Sequence, residues 1–222
     1  MTVHTSSIRE KNDTKPPGRV ERRKAKTRAS LIEAARRLFA SKNIESTSVA
    51  EIAEEADIAV GSFYNYFETK DELLAALLES TLVEQLARIR ARQSQTDDPA
   101  EKVAIGHRHL VDLATREPDL AWLIVRFEVP QRIASLGLAE AARADMMEGI
   151  ATGRFDVRNP ELSLRASGGA LLGVIHTILL GELPGDSGRD LAAGVLMGLG
   201  MKPAEAREVA ARPLPPESLE AE

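Results

Sequence analysis

The chain has 222 residues, 43% hydrophobic and 28% charged, with no cysteine. That is the profile of a globular protein of one or two domains. It excludes disulfides, thiolate metal sites and cysteine nucleophiles, and it fits a cytoplasmic location. The net charge of −5 conceals an asymmetry: residues 1–48 hold 12 Lys+Arg against 5 Asp+Glu, which leaves −12 on the remainder. A basic head on an acidic body suits a head that meets a polyanion; a solubilising basic tail is the plainer alternative.

In chain order, the first residues lack the apolar run of a signal peptide. Residues 1–20, with Pro16-Pro17-Gly18, read as a disordered basic arm. From Glu21 the pattern is helical, with Leu31, Ile32, Ala35, Leu38 and Phe39 on one stripe. After "SKNIEST", Ser48 and Glu51 form an S-x-x-E capping box that opens a second helix, with Val49, Ile52, Ala53 and Ala56 facing inward. A turn at Asp57-Ile58-Ala59 leads to a third helix of about eight residues over 60–67. Thr69 and Glu72 make a second box, T-x-x-E. It opens a long helix over about 70–92 whose inward face carries Leu73, Leu74, Leu77, Leu78, Leu82, Leu86 and Ile89. Proline and glycine breaks then divide the chain into helices at about 99–116, 118–127, 130–152, 159–182, 187–200 and 203–211. The apolar run "ASGGALLGVIHTILLG", Ala166 to Gly181, is short and broken for a membrane span and reads as a buried helix.

No segment alternates with period two, so the fold class is all-α. The expected divisions are the arm at 1–20, a three-helix head at 21–68, a connecting helix at 69–92, a helical body at 93–211, and a flexible tail at 212–222.

The stretch "GSFYNYFETKDELL" holds Phe63, Tyr64, Tyr66 and Phe67 within five positions of a chain that is only 4% aromatic. At ~100° per residue, Phe63 and Phe67 share one face, which can dock on the first helix and Ile52. Gly61, Ser62 and Asn65 lie opposite, and Tyr64 and Tyr66 flank them. A short turn between the second and third helices makes this a helix-turn-helix unit. The outward face is small and polar: Gly61 allows close approach, Ser62 can donate to a phosphate, and Asn65 can pair with an adenine edge. Each of these is also compatible with an ordinary solvated position.

The stretch "TSVAEIAEEADIAVGSFYNYFETKDELLAALLE" resembles the N-terminal domain of the TetR family of bacterial transcriptional regulators. The resemblance rests on Ser48, Val49, Ile52, Ala53, Ala56, Gly61, Ser62, Phe63, Tyr64, Tyr66, Phe67, Lys70 and Leu73. It implies phosphate contacts from Ser48, Tyr64, Tyr66 and Lys70, and a base-facing set of Val60, Gly61, Ser62 and Asn65. The wheel itself puts Val60 near the phenylalanine face. The basic residues Arg22, Arg23, Lys24, Lys26 and Arg28 would add phosphate or minor-groove contacts. Two positions depart from the family pattern: Asp57 replaces the usual turn glycine, and Ala59 replaces the usual serine N-cap. Asp tolerates a left-handed turn. A missing N-cap oxygen costs about 0.5–2 kcal/mol, so the recognition helix is expected to fray in the free protein.

The resemblance also implies a homodimer on a palindromic operator in double-stranded DNA, released by a small effector, with repression rather than activation. The glycine-spaced apolar helices over residues 163–200 would form the dimer interface. Candidate pocket residues are Trp122, Arg126, Phe127, Met146, Met147, Ile150, Phe155, His107, His109 and His176, and the apolar balance suggests a hydrophobic or amphipathic effector. For most of these, core filling is the plainer role. His107 and His109 are two apart on a helix and do not share a face, which argues against a metal site. No nucleotide, flavin, hydrolase or zinc-protease motif appears, so neither an enzyme nor a bound cofactor is expected. The rival reading is a TetR-like dimer that acts mainly through a protein partner and binds DNA weakly.

Overall fold

The structure, a computed structural model, describes residues 18–41, 44–126 and 138–216. Regular structure among them is entirely helical: α1 (Arg19–Ser41), α2 (Val49–Glu55), α3 (Val60–Phe63), α4 (Lys70–Gln93), α5 (Pro99–Arg116), α6 (Pro118–Arg126), α7 (Leu138–Ala151), α8 (Pro160–Leu179), α9 (Gly188–Gly198) and α10 (Pro203–Ala211). Helix α1 begins at Arg19, two residues before the helical pattern expected from Glu21, so Arg19 of the expected arm lies on a helix, while residues 1–17 of that arm lie outside the described residues.

The head is built as its pattern dictates. Leu31, Ala34, Ala35 and Phe39 of α1 are buried with Ile52, Phe63, Phe67 and the α4 leucines Leu73, Leu74, Leu77, Leu78 and Leu82. The same cluster includes Leu113 of α5 and Leu120 and Ile124 of α6. One apolar core therefore runs from the recognition segment across α4 into the body. A shift of α5 or α6 meets the head through packed side chains rather than through a flexible linker.

Helix α5 is the hub of the body and packs on α4, α6, α7, α8, α9 and α10. A second core joins Ala100, Val103 and Ala104 to Met146, Phe155, Ala192, Leu196, Leu199, Ala206 and Val209. Phe155 lies over Gly149 so closely that a Cβ there would sit 2.1 Å from its ring. At Gly200, which holds φ +92°, an added Cβ would sit 2.7 Å from the Asp156 carbonyl oxygen. Both glycines answer to a close approach that no other residue permits. Asp98 binds this corner together: Arg154 and Arg212 donate to its carboxylate at 2.9 and 3.3 Å, and Arg154 also pairs with Glu205.

Helix α8 corrects the expectation of a buried helix. Only Ile175 of its residues is buried. One side rests half-buried on α5 and α6 through Leu171, Ile178 and Leu179. The other presents Leu162, Ala166, Gly169, Ala170, Gly173, His176 and Leu180 to solvent. Its length and composition alone would suffice for a bilayer span. By contrast α9, the other half of the expected dimer face, buries Ala192, Ala193, Val195 and Leu196 within its own chain and exposes, besides Arg189 and Asp190 in its first turn, an edge at Gly194 and Gly198. The reason is periodicity: the glycines of α8 lie on the side away from α5, whereas the alanines of α9 face α5.

Candidate nucleic-acid interface

The recognition segment is assembled from two helix ends. Helix α2 starts with the expected capping box: Ser48 Oγ accepts from the Glu51 N–H at 3.2 Å, and the Glu51 carboxylate accepts from the Ser48 N–H at 2.8 Å. The Ser48 hydroxyl also donates to Glu51, at 2.9 Å. A phosphate arriving at exposed Ser48 must therefore displace this carboxylate.

Helix α2 ends in a left-handed cap. The Ile58 N–H reaches the Ala53 carbonyl at 2.9 Å, the Asp57 N–H reaches Glu54 at 3.0 Å, and Asp57 holds φ +55°. This is a Schellman motif with aspartate where glycine is usual. The turn of the helix-turn-helix is thus a helix cap, made at an αL cost that Asp tolerates better than most residues.

Helix α3 is shorter than expected, four residues rather than about eight. Its N-cap, Ala59, has the extended backbone of a cap (φ −64°, ψ 140°) but contributes no side-chain hydrogen bond. Past Phe63 the chain continues in tight turns, with Tyr66 N–H to Phe63 O at 2.9 Å and Phe67 N–H to the same oxygen at 3.1 Å. So short a segment does not hold itself. Phe63 and Phe67 are 0% and 1% exposed, their ring centroids 5.8 Å apart. At about 1.5–3 kcal/mol for each buried phenylalanine, these two side chains hold the segment down.

The rest of the segment faces outward. Gly61, Tyr64 and Asn65 are exposed, and Ser62 and Tyr66 are half-buried. Nothing lies within 4 Å of a Cβ placed on Gly61. Val60 resolves the tension of the wheel: it is 44% exposed, on the outer side. A four-residue helix has no second turn to rotate Val60 back over the core.

Lys70 is placed differently from the sequence expectation. Its ammonium is half-buried and donates to the carbonyls of Thr47, at 2.6 Å, and Ile44. A cation in the first turn of a helix is opposed by the helix dipole. Here it braces the α1–α2 connection that carries Ser48. The expected cations Arg22, Arg23, Lys24, Lys26 and Arg28 are all exposed on α1, and the Arg28 guanidinium stands 4.8 Å over the Phe67 ring.

The candidate pocket residues do not converge. Met146 and Phe155 are packed in the core of α5, α7, α9 and α10, with Ile150 beside them, while Met147 is 45% exposed. Trp122 meets exposed His176 edge-on at 5.6 Å, between α6 and α8. Phe127 and the Arg126 side chain lie outside the described residues. His107 hydrogen-bonds the Val103 carbonyl through Nδ1 at 2.8 Å and Ser167 through Nε2 at 2.7 Å, and burial lowers its pKa below the ordinary value.

Sequence patterns alone do not single out a further set of buried polar groups. His109 is 0% exposed, between Gln85 Oε1 at 2.7 Å and Arg92 Nη1 at 2.9 Å. A guanidinium can only donate, so Nδ1 accepts, and Nε2 carries the proton to Gln85. Beside it, Gln93 Nε2 donates to buried Asp145 at 2.9 Å, and Arg90 reaches the same carboxylate at 2.8 Å. A signal is present in the sequence: Gln85 and Gln93 flank Ile89 at steps of four, polar residues on the buried stripe of α4. Buried polar groups require partners, and these come from α5 and α7.

The comparisons with known proteins agree with this architecture. The family model "Tetracyclin repressor-like, C-terminal domain" matches residues 98–212, and "Bacterial regulatory proteins, tetR family" matches residues 31–77. The solved structure of RolR in complex with resorcinol is 33% identical, with a TM-score of 0.78, and covers 89% of this chain and 99% of RolR. The HTH-type transcriptional repressor KstR2 of Mycobacterium tuberculosis is 31% identical over 117 residues, 49% of this chain and 53% of that protein. TtgR of Pseudomonas putida, an HTH-type transcriptional regulator, is 34% identical over 87 residues, 39% of this chain and 40% of TtgR. The chain spans about half or less of the length of these curated relatives. With both the head and the body matched, the chain belongs to the tetR family of bacterial regulatory proteins.

Proposed function

We propose that this protein is a ligand-responsive, DNA-binding transcriptional regulator, a repressor that leaves a palindromic operator when a small effector binds. The observation that carries the reading is the recognition segment. Val60, Gly61, Tyr64 and Asn65 are outward and Phe63 and Phe67 buried, beside the α2 N-terminus and a row of exposed α1 cations. Two such units related by a two-fold axis would place α3 in successive major grooves, ~34–36 Å apart. Val60, Gly61, Ser62 and Asn65 face the bases. Ser48, Tyr64, Tyr66 and the α1 cations hold phosphates.

Dimerisation through residues 163–200 is supported mainly by α8, whose exposed apolar, glycine-bearing side has no cover within the described residues; α9 adds only its glycine edge. The effector site is proposed beside α4 and α5, near the buried pairs Gln85–His109 and Gln93–Asp145. Their polarity fits a small amphipathic molecule, and the neighbour RolR is described in complex with resorcinol. Such a ligand acts only if it binds the non-DNA form more tightly. The core shared by α4, α5, α6 and α3 is then the route by which half-site spacing changes.

Fluorescence anisotropy on duplexes from the region upstream of the gene, at 50 and 200 mM salt, tests the reading. Sequence-specific, salt-dependent binding is expected. Asn65→Ala should relax preference at one operator position. Binding that ignores sequence would favour a regulator acting through a protein partner.

A further inference from the structure

Helix α4 is tied to the head by polar contacts at two separate points. Near its start, the Lys70 ammonium holds the Ile44 and Thr47 carbonyls. About four turns further along, the half-buried Glu84 carboxylate meets α1: Arg36 Nη1 donates to its Oε2 at 3.0 Å. At 1.5 Å and 100° per residue, the two ties lie about 21 Å apart and within about 40° of each other around α4. Between them the contact is apolar, Leu31, Ala34, Ala35 and Phe39 against the α4 leucines. Apolar contact is non-directional. It holds α1 against α4 but leaves their angle soft, and a second polar tie at that distance fixes it. A slip of about 1 Å at Glu84 alone would tilt the head by roughly 3°.

Glu84 is held toward α1 from its own helix. Arg88, one turn further along α4, donates to the other carboxylate oxygen, Oε1, at 2.6 Å. Glutamate four residues ahead of arginine is the favourable order on a helix. Each oxygen of Glu84 therefore has its own guanidinium, one from each helix. Burial raises the Glu84 carboxyl, but the hydrogen bonds from Arg88 and Arg36, with their charges, outweigh it and hold it below the usual carboxylate range. The link continues through α1. Glu33 lies 3.6 Å from Arg36 and 3.8 Å from Arg37, and Arg37 Nε donates to Glu55, the last residue of α2, at 2.8 Å. Charged groups of α4, α1 and α2 thus form one chain that ends just before the left-handed turn at Asp57. Exposed ion pairs contribute little. The link that joins α4 to α1 is the one whose two partners are both half-buried.

We propose that Glu84 is a positioning residue for DNA binding: its pair with Arg36 fixes the tilt of the head on α4, and thereby makes the dimer selective for the spacing between half-sites. The proposal rests on the DNA-binding reading above and adds to it the group that sets how the two heads reach their half-sites. Glu84 acts through Arg36 and not through the recognition segment. Its loss spares the reading of each half-site and loosens only the relation between the two. A dimer carries the pair twice, so the effect enters once for each head.

The test uses the full chain and duplexes from the region upstream of the gene. One duplex carries a single half-site. The others carry both half-sites, at the native spacing or with one base pair added or removed, which moves the second half-site by about 3.4 Å and turns it by roughly 34–36°. Fluorescence anisotropy compares wild type with Glu84→Gln, which keeps the shape of the side chain and removes its charge, and with Arg36→Gln. Both variants should bind the single half-site as wild type does. On the paired half-sites, the preference for native over altered spacing should fall by about two- to fivefold for each ion pair lost, the scale of one part-exposed pair. The double variant should fall no further than either single one, since both break the same contact. An unchanged spacing preference in both single variants would overturn the assignment. Weaker binding of the single half-site by both would overturn it too, because the pair would then hold the fold of the head and not its tilt. Full additivity in the double variant would equally overturn it, since the two residues would then act apart. Wild type that binds none of the duplexes sinks the DNA-binding reading itself; wild type with a spacing preference that both variants keep sinks the positioning role alone.

Discussion

Restoring the missing cap of α3 by Ala59→Ser tests how the recognition helix is held. Ala59 already has the extended backbone of an N-cap, and its carbonyl accepts from the Ser62 N–H at 2.8 Å, so only the side-chain oxygen is lacking. A serine Oγ there can accept from the Gly61 or Ser62 N–H and stabilise the helix start by about 0.5–2 kcal/mol. Local opening of residues 60–63 should then become about 2- to 30-fold rarer, read as slower amide exchange in the free protein. DNA affinity responds differently. The apparent dissociation constant is the intrinsic one divided by the ordered fraction, so the cap raises affinity only as far as the free helix is frayed. If roughly a tenth is ordered, the gain approaches tenfold; if nearly all is ordered, affinity stays constant while exchange slows. Exchange by mass spectrometry on peptides across 59–66, with and without operator, gives both numbers. Unchanged exchange in the free protein would refute the reasoning, since it would mean that Phe63 and Phe67 alone hold the segment rigid.

Three further outcomes follow from the geometry. Lys70→Ala should lower operator affinity and speed exchange of amides 44–48 while leaving the salt slope unchanged, because the ammonium braces the Ile44 and Thr47 carbonyls; a slope smaller by about 0.9 would instead assign it to a phosphate. Gly149→Ala should destabilise the body by at least about 1–3 kcal/mol, since its Cβ would meet the Phe155 ring at 2.1 Å, read as a lower urea midpoint at constant m; an unmoved midpoint would mean that the ring can turn aside. Acid should weaken the fold in two windows. Burial lowers the His107 pKa, so stability present above the unfolded value near 6.5 is lost as pH falls through the folded value. Burial raises the Asp98 carboxyl, but hydrogen bonds from Arg154 and the Ala100 amide, with the charges of Arg154 and Arg212, outweigh it and hold it low; that stability is lost further down, below about pH 4. Thermal melts from pH 3 to 8 on His107→Gln should lose the upper window alone, and on Asp98→Asn the lower window should shrink while the upper stays, since the Glu84 carboxyl is also held low.

What is legible in the sequence follows from local rules. The stripe of Leu31, Ala35 and Phe39, the Ser48–Glu51 box, the left-handed turn at Asp57 and the burial of Phe63 and Phe67 each depend on residues within a few positions of one another. The second box forms only in half. Thr69 caps Glu72, but the Glu72 carboxylate takes the Glu68 N–H, because the chain before Thr69 bends to present that donor instead. The start of α1 is less legible: the residues before Glu21 are polar and carry no apolar stripe, yet the helix already runs from Arg19.

Sequence by itself determined the class of the protein: a basic head with a capped, aromatic-anchored helix-turn-helix on an acidic helical body. Those features are written in spacing and charge, which the folded chain can only display. Tertiary structure decided which groups face which. It drew Lys70 back onto two carbonyls 23 and 26 residues away, paired Gln85 with His109 and Gln93 with Asp145 across helices, buried much of α9 and left one side of α8 bare. Such pairings follow from how helices cross, and the crossing is set by the sum of many weak packing contacts rather than by any local motif.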